Sequence, residues 1–112
     1  MSVNGEQTLA EDIADLTGVT TSFMAYQASL HGKPGPTVNG FTADQQFFIA
    51  FGQNWSSKTR DAALRQQVLT DVHAPAKYRS YEVRNVDEWY EAFGVKSGEK
   101  LYLSPDQRVH VW

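Results

Sequence analysis

The sequence predicts a mainly α-helical fold, with three to four helices and short extended segments near the C-terminus. Three observations carry this. Two apolar runs follow Thr-x-x-Glu or Thr-x-x-Gln, the pattern of a capping box, in which the threonine side chain and the acid or amide satisfy each other's backbone N–H. Within those runs apolar residues recur every three or four positions, the period of a helix face. Between them stand proline and glycine clusters that no helix continues through.

The first box, Thr8-Leu9-Ala10-Glu11, places a helix start at Thr8, with Ile13, Leu16, Val19, Phe23 and Tyr26 as an apolar stripe running towards Leu30. His31 to Asn39, with Pro34-Gly35-Pro36, is a loop, because both prolines lack an amide donor and restrict the residue before them. The second box, Thr42-Ala43-Asp44-Gln45, opens a buried helix with Phe47, Phe48, Phe51 and Trp55 on one side. Asp61 to Leu69 forms a third helix on Ala62, Leu64, Val68 and Leu69, ended by Asp71-Val72-His73-Ala74-Pro75. Asn85 caps a short fourth helix through Phe93, and Gly94 and Gly98 bracket the turn behind it. Leu101-Tyr102-Leu103 and Val109-His110-Val111-Trp112 read as brief extended segments around a Ser104-Pro105-Asp106 turn. No repeat, low-complexity tract or linker divides the chain, so residues 1–112 are expected to form a single domain.

A content of 41% hydrophobic and 21% charged residues is that of a chain that folds. The net charge of −3 supplies no general cationic field, so nucleic acid is not an expected partner. Without cysteine there is neither disulfide nor thiolate metal site. Met1 to Gly5 carries no basic start or apolar core of a signal peptide, and no apolar run reaches the roughly 18 residues of a membrane span.

Two constellations bear on chemistry. Glu11 and Asp15 lie one helical turn apart, so their carboxylates share a face, which a nearby cation would explain; spacing alone favours the plainer reading, a capping-box residue and a solvated acid. His73 and Arg79 sit in a proline-stiffened segment able to present an imidazole donor and a guanidinium fork to an oxyanion and a peptide carbonyl, although on these residues alone a loop histidine and a surface arginine is the favoured reading. His31 and His110 read as structural. H-E-x-x-H, a Gly-rich phosphate loop and G-x-S-x-G are all absent, which leaves no self-contained hydrolase.

Taken in order, Val3-Asn4-Gly5, the run Thr8 to Asp15, Ala25-Tyr26, Phe47-Phe48 with Trp55, Thr70-Asp71-Val72-His73-Ala74-Pro75 with Arg79, Leu101 to Pro105 and the terminal Val111-Trp112 resemble the C-terminal end of the neprilysin and endothelin-converting-enzyme family of zinc metallopeptidases, over nearly the whole chain. The resemblance implies a C-terminal fragment of a zincin-type catalytic domain that lacks the H-E-x-x-H helix. It implies Glu11 as the third protein ligand to zinc and Asp15 as the acid that orients a zinc-bound histidine. His73 would stabilise the oxyanion of the tetrahedral intermediate, and Arg79 would grip the substrate backbone. Trp55 and Asn54 would line the pocket for the residue after the scissile bond. Asn54 departs from the apolar residue usual there, Asp12 from the usual Asn and Ala10 from the usual Gly, and the absence of cysteine points to a bacterial member.

These implications set further expectations. The complete protein would be a zinc metalloendopeptidase acting on oligopeptides, whereas the isolated 112 residues, with one zinc ligand, would not hold zinc or cleave peptides. Its partners would be a peptide substrate and the upstream part of the same polypeptide, and alone it would self-associate through apolar surface. An extracytoplasmic or cell-surface location follows from the family, with the cytoplasm open to a bacterial member. The competing reading is a stand-alone peptide- or protein-interaction module using Arg79 and Trp55.

Overall fold

The computed structural model describes residues 1–111; Trp112, which the sequence places in a terminal extended segment and on which part of the resemblance rests, lies outside the described residues. Helix α1 runs Gly5–Ser29, α2 Ala43–Asn54, α3 Asp61–Thr70, α4 Ala76–Ser80 and α5 Asp87–Phe93, with 3₁₀ turns at Tyr81–Asn85 and Pro105–Gln107. No helix is long and apolar enough to cross a membrane among the described residues.

Helix α1 does not begin at the expected box. Asn4 is its cap, its side-chain oxygen accepting from the Glu6 amide at 3.1 Å. Thr8 lies inside the helix, buried, and donates to Asp12 Oδ2 at 2.8 Å. Glu11 is therefore free of any capping role. The second box forms as read, with Thr42 and Gln45 satisfying each other's backbone N–H. Its helix, α2, lays Phe47 and Phe48 against Phe23 of α1, all three ring pairs 5.2 Å apart, two edge-on and one stacked. Leu16, Val19 and Phe23 meet Phe48, Val83 and Val86 in one core, with Trp89 and Ala92 of α5 packed on it.

The loop between α1 and α2 is pinned at Gly35: a Cβ there would overlap that of Ala43. Helix α4 and the 3₁₀ turn behind it were not expected. The sequence predicts Pro75 as part of a terminator, but at the N-cap its missing N–H costs nothing and its fixed φ suits helix entry. Asn85 does not cap α5, which has no side-chain cap; its Oδ1 instead accepts from the Val109 amide at 2.8 Å and ties down the C-terminal segment. Residues 101–103 and 109–111 join no ladder, and the single β-bridge among the described residues is Val38 with Phe41. Arg108 holds this end through Asp87 at 2.9 Å and the face of Tyr90 at 3.6 Å.

Candidate functional site

One face of α1 and the segment from Asp71 to Glu82 form the site. Gln7 fixes their approach by donating to the Asp71 carbonyl at 2.8 Å. Asp71 then makes an Asx turn, its Oδ1 accepting from the His73 amide at 2.8 Å. The same oxygen lies 2.8 Å from His73 Nδ1, while His73 Nε2 lies 3.1 Å from Glu11 Oε2. Both ring contacts are donations only in the imidazolium form, which carries two N–H groups. The His73 amide and ring together hold the Asp71 carboxyl below the ordinary carboxylate range.

Arg79, one turn into α4, forms a fork on Asp15, Nε to Oδ2 at 2.6 Å and Nη2 to Oδ1 at 2.7 Å. Both side chains are largely shielded from solvent. The hydrogen bonds to Asp15 raise the Arg79 pKa further against the opposing effect of burial. On its other side the guanidinium stacks over Trp55, 4.1 Å from the ring centroid. Asp15 was expected to orient a metal-bound histidine; both of its oxygens already accept from Arg79, and each keeps a lone pair for a second donor.

Five of the six expected residues, Glu11, Asp15, Trp55, His73 and Arg79, are thus linked into two contact chains on neighbouring faces. Asn54 ends α2 beside Trp55 in sequence but is exposed. Two participants went unread. Asp71 had a signal, the Asp-x-His spacing of an Asx turn. Glu82 had none, because its property arises from tertiary burial, which raises its carboxyl to about 7, with the carboxylates of Asp12 and Asp15 adding to the rise and Arg79 opposing it.

The Glu11 carboxylate suits zinc in kind. One such donor does not suffice, and no group of three or more possible ligands converges among the described residues. Glu11 is half-exposed and uncommitted to a cap, and its Oε2 meets only His73 Nε2 as an ion-pair partner among the described residues.

Known proteins resemble the chain over nearly its whole length. The chain is 38% identical to Neprilysin-21 of Caenorhabditis elegans and 40% identical to human Endothelin-converting enzyme-like 1, in each case over 98% of its own length. It spans only 15% and 14% of those relatives. The zinc metalloprotease Zmp1 of Mycobacterium tuberculosis, solved in complex with an inhibitor, superposes with a TM-score of 0.96 at 40% identity, over 98% of this chain and 17% of that one. The open state of the same enzyme gives 0.95. The family model for peptidase family M13 matches residues 1–109, and the chain belongs to that family.

Proposed function

We propose that this chain is part of a zinc metalloendopeptidase that hydrolyses peptide bonds in oligopeptides, and that the remaining ligands and the general base come from other parts of the same polypeptide. The observation that carries this is the contact of Glu11 with His73 at 3.1 Å, with Asp71 holding the far side of the imidazole. In such a site zinc supplies a Lewis acid for the peptide carbonyl and acidifies a water. The residues of this chain do the rest. Glu11 presents a carboxylate oxygen as a metal ligand. Asp15 keeps acceptor capacity for a ligand histidine while locking Arg79 in place. His73 Nε2 already faces a carboxylate anion, so an oxyanion developing beside it meets a donor oriented in advance. Arg79, fixed by Asp15 and Trp55, aims its remaining N–H groups at substrate carbonyls, and Trp55 with Asn54 flanks the residue after the scissile bond.

The test is zinc content and peptide hydrolysis in the complete polypeptide with Glu11→Gln. A neutral amide is a much poorer ligand, so zinc and activity are both expected to be lost. Full zinc occupancy with full activity removes Glu11 from the ligand set. Asp15→Asn is expected to lower zinc affinity by roughly 10- to 100-fold, as outer partners of metal ligands typically do.

A further inference from the structure

Trp55 borders a second environment. Besides receiving Arg79 on its face, the indole walls a cavity of about 880 Å³ that Glu11, Asp15, His73 and Arg79 do not line. Ligand sites typically occupy roughly 300–1,000 Å³. The charge of this cavity is one-sided. Arg65 of α3 and Lys77 of α4 line it, and no Asp or Glu does among the described residues. Neither cation is in an ion pair among the described residues, whereas Arg79 and Arg108 both are. In a chain of net charge −3, such an acid-free pocket concentrates positive potential at one place. Ser56 and Thr59 add hydroxyl donors to its wall. The Trp55 Nε1–H is itself buried without an acceptor, which is uncommon for an indole donor.

We propose that this cavity is a carboxylate-binding subsite, in which Arg65 and Lys77 hold a carboxylate of a peptide whose neighbouring residue lies against Trp55. A guanidinium takes a carboxylate with two parallel N–H donors, and the lysine adds a mobile point charge. The substrate class that follows is peptides carrying an acidic side chain or a free C-terminus on that side. The identity of the ligand as a substrate rests on the peptidase reading; the binding chemistry does not.

Isothermal titration of the chain with three N-acetylated dipeptides tests this. Phe-Glu amide offers a side-chain carboxylate, Phe-Gln free acid a terminal one, and Phe-Gln amide neither. At least one of the acids is expected to bind about tenfold more tightly than the neutral peptide, with the advantage shrinking in salt as interactions between exposed charges do. The acid that binds names the source. Arg65 and Lys77 are exposed, so Arg65→Gln and Lys77→Gln should keep the fold, checked by their melting, and should each remove most of that preference. Equal binding of all three peptides, or a preference for acid that survives both substitutions, overturns the subsite. Titration requires neither zinc nor hydrolysis, so its failure leaves the peptidase reading standing, and loss of the Glu11 ligand role leaves the subsite untouched.

Discussion

His73 reaches two carboxylates at once, and Arg79 reaches one carboxylate and one indole, so the two residues fail differently when removed. On the proposed peptidase function, His73→Ala in the complete polypeptide is expected to lower kcat by about 10²- to 10³-fold, because an oxyanion hydrogen bond strengthens only as negative charge develops. Arg79→Met is expected to raise KM, since a backbone clamp acts on ground and transition states alike, and also to lower Tm, because it leaves Asp15 shielded and unpaired. An unchanged Tm with an unchanged KM would show that the Asp15 fork carries nothing. Glu82 gives a prediction in pH. Its carboxyl is raised from 4.5 to about 7 by burial and by Asp12 and Asp15, so between those values the folded chain holds a proton that the unfolded chain has released. Its contribution to stability is therefore fully present below about pH 4.5 and lost as pH rises through 7. For a partly buried group that amounts to about 1–2 kcal/mol after screening. Relative to the parent chain, Glu82→Gln should gain stability from pH 5 to pH 8, read as a widening Tm difference; a constant difference rejects the assignment. Glu11, Asp15, His73, Arg79 and Trp55 were legible because their order and residue types are a family pattern. Glu82 was not, because nothing local marks a carboxyl that tertiary packing will dehydrate.

Elements were legible where the signal is local and ambiguous where two local signals compete. Thr42 with Gln45 is a box in the sequence and in the fold, whereas Thr8 with Glu11 has the same spelling and is interior helix. What separates them is upstream: Asn4 lies four residues earlier and takes the cap, and the helix then continues through Thr8. Pro75 misled in the opposite direction, since a proline marks either the end of one helix or the start of the next. The consequence reaches the site, because Arg79 rides on the helix that Pro75 opens, from which its side chain meets Asp15 and Trp55. For α2 the cap can be weighed. Thr42→Ala removes the side-chain acceptor of the Gln45 amide and is expected to cost about 1 kcal/mol in chemical denaturation. Since α2 carries Phe47, Phe48 and the approach to Trp55, the loss should appear as a lower denaturant midpoint at unchanged slope.

At the scale of the whole molecule the core is complete but one side of α1 is not covered. Leu9, Ile13 and Met24 are 56%, 44% and 56% exposed. At 3.6 residues per turn they fall within about 60° of one another on the helix circumference. Val109 and Val111, also exposed, share a shallow cavity with Met24 and extend the strip at its far end. The family resemblance implies that the Glu11 and Asp15 face of α1 packs against the missing H-E-x-x-H helix, and so predicts uncovered apolar surface there. The structure puts it on another side of the helix, while Asp15 is covered by Arg79 of the same chain. The relatives are about seven times longer, with 14–15% of their length matched, and the rest of such a polypeptide is available to cover this strip. We propose that the chain expressed alone covers it by pairing α1 with α1 of a second copy, in an isologous contact. Exchange of α1 between copies is the weaker route, because the loop it would have to open is pinned by Gly35 against Ala43 and by Gln46 donating to the Pro36 carbonyl at 2.8 Å. Light scattering across a dilution series should show a dimer that dissociates on dilution. Ile13→Glu, which places a charge in the middle of the strip, should give a monomer at all concentrations with little change in Tm, since Ile13 lies outside the core. A parent chain that is monomeric throughout and binds no apolar dye would mean that this strip is too small to recruit a partner, and pairing through α1 would be excluded.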